Sequence, residues 1–311
     1  MKLISVVTPA YNEEGNVEEL YREIKEIFKS YEDKYKYEHI FIDNASTDNT
    51  ANILRDIALK DKNVKVILNS RNFGHIRSPV HALMQASGDA VIHIVSDFQD
   101  PPHLIKEFIK KWEEGYNLVL GVKESSDEKG LTAFVRNQYY DFVNRISDVE
   151  LTKNNTGFGL YSKKIIDVVK QIDDPYPYFR GMVSDIGFES AKVEYHQPQR
   201  RRGITKNNFY TLYDIAMLGI TTHSKVPLRV VTITGFIFSA ISFLIAIIYF
   251  IGKLLFWNSF ALGVAPMTIG VFFFGSVQLF ALGIIGEYIG FMHTQILKRP
   301  LVVEKERINF E

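Results

Sequence analysis

The 311-residue sequence contains no cysteine, which excludes disulfides and thiolate metal sites while leaving the compartment open. It has no excess of either charge: 36 Lys and Arg balance 36 Asp and Glu, which argues against a general nucleic-acid binder. No Gly-x-Gly-x-x-Gly follows the first apolar run, and no Gly-x-x-x-x-Gly-Lys-[Ser/Thr] occurs anywhere, so the dinucleotide-binding and P-loop readings lose their fingerprints. There is no internal repeat and no low-complexity tract.

Charge is also missing locally. No Asp, Glu, Lys or Arg lies between Arg229 and Lys253, or from Leu254 to Gly286. A helix rising about 1.5 Å per residue needs about 20 apolar residues to cross a bilayer core, so each run is long enough. Two transmembrane helices are expected, near Val230–Ile251 and Met267–Ile289; the alternative is a pair of buried core helices. The opening MKLISVVTP turns into a charged helical pattern too soon for a signal peptide. Arg200, Arg201, Arg202, Lys206, Lys225 and Arg229 precede the first run, Lys298, Arg299, Lys305 and Arg307 follow the second, and the connection holds only Lys253. Positive-inside bias then predicts a multi-pass protein of the inner (cytoplasmic) membrane, with the soluble part and both ends in the cytoplasm.

The first 220 or so residues alternate β-rich runs with helical patterns: LISVVT then NVEELYREIKEIF, HIFID then TANILRDIALK, VKVIL then PVHALMQAS, AVIHIV then PPHLIKEFIKKWEEG, and finally LVLGV. This predicts an α/β fold with a mostly parallel sheet covered by helices on both faces. Ligands bind beyond the carboxyl ends of such strands. The polar tips PAYNEE, DNASTD, NSRNFGH and SDFQDPP all fall at that edge. Residues 123–135 read as a polar loop around Gly130. Phe209, Leu212, Tyr213, Ala216, Met217 and Ile220 share a helical spacing just before the first apolar run, which suits either a membrane-surface helix or one packed on the soluble domain.

Four groups of residues are chemically informative. In SDFQDPP, Asp97 and the Gln99 amide oxygen suit a hard cation such as Mg²⁺ or Mn²⁺, which takes one or two carboxylates and completes its shell with phosphate and water. Asp100 before Pro101 reads instead as a helix N-cap. In DNASTDNT, Asp43 is a candidate to accept hydrogen bonds from a base or sugar, while Ser46, Thr47 or Asp48 starts the next helix. RRRGITK pairs guanidinium and ammonium groups around Gly203, suited to a phosphate or to a membrane surface. Lys123 and Arg136 bracket the polar loop and are candidates for a second anion.

VVTPAYNEEGNV, FIDNASTDNT, NSRNFGH, SGDAVIHIVSDFQDPP and the terminal GEYIG…RP, in this order and with a membrane segment, resemble the family-2 glycosyltransferases of GT-A fold that charge polyprenyl phosphates. That is the group of dolichyl-phosphate mannose synthase and the bacterial bactoprenyl glucosyltransferases, and the resemblance covers nearly the whole chain. It implies donor-nucleotide contacts from Pro9, Tyr11, Glu13 and Asp43, metal ligation by Asp97 and Gln99, donor-diphosphate contacts from Arg200 and Lys206, and acceptor-phosphate contacts from Lys123 and Arg136. The partners it implies are a nucleotide-diphosphate sugar, polyprenyl phosphate and the bilayer, with no nucleic acid. The implied layout is a GT-A domain over residues 1–206, an interface helix over 207–226, a two-helix hairpin over 227–293 and a cytoplasmic tail over 294–311.

The sequence departs from this group at three places. Val95 stands where many relatives have the first Asp of Asp-x-Asp-x-Gln, leaving one carboxylate unless Asp43 or Asp100 helps. TGFGL replaces a common Gly-Asp-Phe-Arg, so Gly157 and Gly159 remove any acid or base role there. RNFGHIRSPVHAL departs at Arg77, Ser78, Pro79 and His81 from the usual alanine-rich helix. The missing acid matters less for a phosphate acceptor than for a hydroxyl. A lipid monophosphate with a second pKa of about 6 is largely a dianion at neutral pH and needs no base. His75, His81 and His93 are therefore not required as bases, and His93 reads as a strand residue. Transfer to a hydroxyl of a lipid-linked glycan and a non-catalytic nucleotide-sugar-binding scaffold are the alternatives. Glu287 marks a membrane boundary, and Gly286 and Gly290 form a small-xxx-small step suited to packing the two spans or a homo-oligomer.

Overall fold

The structure, a computed structural model, describes residues 1–126, 145–146, 152–198, 209–256 and 264–310. The sequence-predicted contacts at Arg136, Arg200 and Lys206 lie outside these residues, as does most of the loop at 123–135.

One eight-stranded sheet organises the soluble part. Its strands are β1 (Lys2–Ala10), β2 (Tyr35–Asp43), β3 (Val64–Asn69), β4 (Ala90–His93), β5 (Leu118–Ser126), β6 (Asn155–Ser162), β7 (Ser190–Gln197) and β8 (Glu304–Ile308), in spatial order β7-β5-β6-β4-β1-β2-β3-β8. β1 pairs in parallel with both β2 and β4, and β2 with β3. β6 runs antiparallel between β4 and β5, and β8 antiparallel to β3. The expected alternation is present, with the sheet mixed at both flanks. Because the chain moves from β1 outward to β2 and β3 and then back to β4 on the other side, the β1–β4 boundary is the switch point where such sheets open a crevice.

Period-two patterning divides the core. Ile4 and Val6 enter one cluster with Leu20, Ile24 and Phe28 of helix α1 (Val17–Lys29) and with Phe108 of α4 (Ile105–Glu113), whereas Val7 points to the opposite cluster. That opposite layer holds α3 (Gly74–Gln85) and α5 (Lys163–Ile172), through Val80, Leu83, Ile165 and Ile166. Helix α2 (Thr50–Lys60) buries Leu54, Ile57 and Ala58 against β2 and β3. A short helix, α6 (Phe179–Asp185), follows α5.

Helix α7 (Phe209–His223) leads into α8 (Val226–Leu255) and α9 (Val264–Ile296), of 30 and 33 residues. Both long helices contain stretches apolar enough to cross a membrane, Val226–Ile245 and Phe273–Ile296. Their large side chains face outward: Phe236 is 72% and Phe280 71% exposed. The core-helix alternative is therefore not what forms. Phe238 packs against Phe273 and Phe274 at 5.8 and 6.3 Å between the two helices. Helix α7 touches both possible neighbours: Leu218 is buried with Tyr178 of the soluble part, and Phe291 of α9 joins them. Glu287 accepts a hydrogen bond from Tyr213 Oη at 2.8 Å, and Tyr288 Oη donates to Ser224 O at 2.6 Å.

The segment after α9 returns to the soluble domain and contributes β8. Arg55 bonds Glu306 through Nε and Nη2, the latter at 2.8 Å, His81 meets Glu304 at 2.6 Å, and Asn309 Nδ2 donates to Ala58 O and Val64 O. Arg77 Nη2 donates to Pro300 O at 2.8 Å. Two of the departures noted in α3, Arg77 and His81, thus serve to dock this returning segment, and Ser78 accepts from Asn69 Nδ2 at 3.0 Å.

Candidate active site

The loops after β1, β2, β3 and β4 meet at the carboxyl edge and are laced together by amides and hydroxyls. Asn12, at φ 57°, donates from its backbone N–H to Ser46 Oγ and accepts from Thr47 N–H through Oδ1, each at 2.8 Å. Glu13 N–H donates to Thr50 Oγ1 at 2.9 Å. Asn44 Oδ1 accepts from Asn69 Nδ2 at 3.1 Å and Phe73 N–H at 2.8 Å, tying the second loop to the third. Ser96 Oγ donates to Pro9 O at 3.1 Å, joining the fourth loop to the first. Pro9, Tyr11, Glu13 and Asp43 are consequently held on neighbouring loops of one surface.

Asp43 is buried, and its carboxylate accepts from both the backbone N–H and the hydroxyl of Ser46. Burial pushes its carboxyl up against the pull of those bonds. The N-cap of α2 is Asn49, with no side-chain cap, so none of Ser46, Thr47 and Asp48 caps the helix as expected; Asp48 Oδ1 accepts from Thr50 N–H at 3.0 Å and braces the turn before it.

The SDFQD turn is anchored by Phe98, a residue with no chemical signal of its own. Phe98 adopts φ 62°, a left-handed conformation that costs a non-glycine residue about 1–2 kcal/mol. Its ring is 2% exposed within the cluster formed by α1, α4 and the sheet, and that burial offsets the strain. Asp97 and Gln99 flank it, with Gln99 N–H donating to Asp97 Oδ1 at 3.1 Å.

Asp100 is not the expected helix cap. The following 3₁₀ turn, Pro102–Leu104, has no side-chain cap. Asp100 instead accepts from Val95 N–H at 3.2 Å and from Tyr195 Oη at 3.1 Å. Burial pushes its carboxyl up to about 7, the backbone bond from Val95 pulls the other way, and the neighbouring Asp97 charge adds to the rise. Both oxygens thus hold the turn closed.

His93 ends β4 as expected, with Nδ1 against Gly157 O at 3.1 Å. Burial lowers its imidazole to about 4, so it is neutral at physiological pH. Gly157 has φ 93°, and a Cβ on Gly159 would lie 2.4 Å from Val119 O. Both glycines are therefore required by the local backbone. Lys123, buried near the end of β5, donates from Nζ to Gln197 Oε1 at 2.7 Å at the end of β7, the strand that leads toward 200–206. Asn12, Asn44, Ser96, Phe98 and Tyr195 were missed from sequence. The only available signal was that Asn and Ser recur at the first positions beyond strands.

Three buried titrations give a stability signature. His39, whose Nε2 meets Thr8 Oγ1 at 2.9 Å, is lowered by burial from 6.5 to about 3. As pH falls below 6.5, the unfolded chain protonates His39 and His93 while the folded chain does not, so both cost stability as pH falls. Asp100 has the opposite sign: between 3.8 and about 7 it is protonated only when folded, so its contribution grows as pH falls. Each such group changes stability by about 1.4 kcal/mol per pH unit within its window. Asp100→Asn removes the opposing titration and is expected to steepen the loss of stability with falling pH by about 1.4 kcal/mol per unit between pH 6 and about 4.5, read by denaturant unfolding in detergent. An unchanged slope contradicts the assignment.

A mixed sheet with a central parallel block, an acidic turn at its switch point and an antiparallel flank places the chain in the GT-A class of α/β enzymes. It belongs to glycosyl transferase family 2, whose family model matches residues 5–169. Among curated relatives, the uncharacterized glycosyltransferase YkcC of Bacillus subtilis is 35% identical over 310 residues, covering 99% of this chain and 94% of that one. The SfII prophage-derived bactoprenol glucosyl transferase of Shigella flexneri is 34% identical over 304 residues, covering 97% of each. Among solved structures, glucosyl-3-phosphoglycerate synthase from Mycobacterium tuberculosis, in complex with Mn²⁺, UDP and phosphoglyceric acid, is similar at a TM-score of 0.46 and 21% identity, over 71% of this chain and 77% of that one.

Proposed function

We propose that the protein transfers a hexose-type sugar, with inversion, from a nucleotide-diphosphate sugar to polyprenyl phosphate at the cytoplasmic face of the membrane, for synthesis or modification of cell-surface glycans. The observation that carries this reading is the pairing, in one chain, of a buried Asp97 turn at the sheet's switch point with two exposed apolar helices. Such a molecule has a site for a water-soluble donor and a means of holding it beside a lipid acceptor. The bactoprenol glucosyl transferase named above, similar over almost the whole length, supports the acceptor class.

The chain's own residues divide the work. Pro9, Tyr11, Glu13 and Asp43 bind the donor nucleotide on the laced loops. Asp97 and Gln99 would hold Mg²⁺ or Mn²⁺. Among the described residues no three His, Cys, Asp or Glu side chains form a metal cluster. One buried carboxylate with an amide oxygen fits a hard cation whose remaining ligands are phosphate and water. Bound there, the ion supplies positive charge to offset the departing diphosphate. Arg200 and Lys206 contact the same diphosphate, and Lys123 and Arg136 the acceptor phosphate. The acceptor oxygen forms the new bond to the sugar's anomeric carbon as the bond to the donor diphosphate breaks. No proton has to be removed from a phosphate dianion, which agrees with a neutral His93 and an Asp100 engaged on both oxygens.

Incubation of the bilayer-reconstituted protein with polyprenyl phosphate and a panel of nucleotide sugars, followed by mass spectrometry of the lipid fraction, tests this reading. One donor is expected to give polyprenyl phosphate heavier by a single anhydrohexose. Absence of glycolipid with every donor would overturn it.

A further inference from the structure

Away from the β1–β4 crevice, positive charge gathers where α3 begins. Arg71 and Arg77 flank one ring, with guanidinium carbons 4.0 and 5.7 Å from the Phe73 centroid. Phe73 is 8% exposed, and its N–H is held by Asn44 Oδ1 at 2.8 Å, so the platform is fixed. The Arg77 bond to Pro300 O brings Arg299 to the same place. Burial, with the like charges of Arg71 and Arg299, pushes the Arg77 guanidinium below its ordinary value. Among the described residues none of these arginines forms an ion pair with a carboxylate. Asp173 and Asp174 line the cavity on the Arg299 side without pairing with it; the like charges around Arg77 repel, and a bound anion relieves that repulsion.

The position in the fold indicates where the anion comes from. Arg299 follows closely on Ile296, the last residue of α9 and of its apolar stretch. Ile76, between Arg71 and Arg77 in sequence, packs with Leu218 and Phe291 of the apolar helical layer. The cluster therefore lies level with the end of the apolar helix. Its loop follows β3 and is tied through Asn44 to the loop after β2, so it lies at the outer end of the laced edge, two strands along from β1 and the crevice assigned to the donor diphosphate. Arginine binds phosphate oxygens through paired N–H donors, the geometry a lipid headgroup offers.

We propose that Arg71, Arg77 and Arg299 form a site for the phosphate of an anionic phospholipid headgroup in the leaflet facing the soluble domain. The proposal rests on the membrane placement given under Proposed function. With β8 clasped to β3, a headgroup held there fixes the height and tilt of the catalytic edge above the bilayer.

The test uses the full chain in phosphatidylcholine bilayers, with spin-labelled phosphatidylglycerol or phosphatidylcholine as the probe and the motionally restricted fraction as the readout. The wild-type protein is expected to retain phosphatidylglycerol preferentially. Arg71→Gln should lower that preference about fivefold, as expected for one basic residue at an anionic surface, and the Arg71→Gln/Arg77→Gln pair should bring it close to unity. Retention of phosphatidylcholine should not change. Arg71 is the primary variant because, among the described residues, it bonds neighbouring Asn72 O alone, at 3.1 Å, whereas Arg77 holds Pro300. Undiminished phosphatidylglycerol preference in both variants overturns the headgroup site. If the variants keep that preference but lose retention of spin-labelled polyprenyl phosphate, the anion is the acceptor's and the proposal likewise fails. A chain that does not enter bilayers overturns the membrane placement as well.

Discussion

Asp97→Asn is expected to reduce sugar transfer by about a thousandfold, the upper range for loss of one charge contact in a preorganised site. Asparagine has nearly the same volume, and its Oδ1 can still accept from Gln99 N–H, so the turn keeps its shape around Phe98. What is lost is the negative charge that, under the proposed function, would hold a cation beside the donor diphosphate. The substitution also removes the charge that helps to raise Asp100, so the Asp100 titration should move down from about 7 in the variant. Turnover with radiolabelled donor and the thermal midpoint, measured on the same preparation, separate chemistry from folding. Full turnover in a folded variant would remove Asp97 from the mechanism.

Gly159→Ala should produce the largest loss of stability for the smallest change in side chain. The added Cβ would lie 2.4 Å from Val119 O and 3.4 Å from the Leu120 Cα. Both are backbone atoms of β5, the strand paired with Gly159 itself, so no rotamer change relieves the contact and the β5–β6 ladder must open. Overpacking of this kind costs about 1–3 kcal/mol, and each kcal/mol lowers the midpoint of a domain this size by about 2–4 °C. Gly283→Ala is the matched comparison: nothing lies within 4 Å of its added Cβ, and it sits in a helix, where alanine is the better former. The first variant should melt clearly below the wild-type protein and the second at or above it. Equal midpoints would contradict the close approach.

The sequence made the central sheet legible because each strand pairs with a neighbour supplied by the same βαβ repetition, and alternating apolar residues report directly on its two faces. It also singled out Asp43 and Asp97, which the structure places, both buried, at the end of β2 and just beyond the end of β4. Asp100 was misread for a physical reason. Asp-Pro-Pro satisfies the local rules for starting a helix, but its partner Tyr195 is distant in sequence and becomes a neighbour only once β7 joins β5. The loop lattice was hidden in the same way. Asn12 and Asn44 look like ordinary turn residues until the parallel order places four loops side by side. Strand β8 was hidden because a short charged segment after a long apolar helix carries no pattern of its own; its place is set by Arg55, His81 and the free edge of β3. Gly157 and Gly159 could be seen to depart from the family pattern, but the reason lies in a positive φ and a backbone contact.

Under the proposed function, the tail clasp would hold the soluble site beside its lipid acceptor. The two apolar helices connect on one side to α7, which packs on Tyr178, and on the other to β8, which is hydrogen-bonded into the sheet. The catalytic edge is thereby tied to the helices at both ends of the hairpin, not suspended from a single linker.

The most direct test of the central claim is the acceptor dependence of nucleoside diphosphate release from the matched nucleotide sugar. With the reconstituted protein, release is expected to rise in proportion to added polyprenyl phosphate. It should stay at background with the corresponding polyprenol and with a lipid-linked saccharide that offers only sugar hydroxyls. Release that is as fast with either hydroxyl acceptor as with the phosphate would contradict a mechanism that works without a general base.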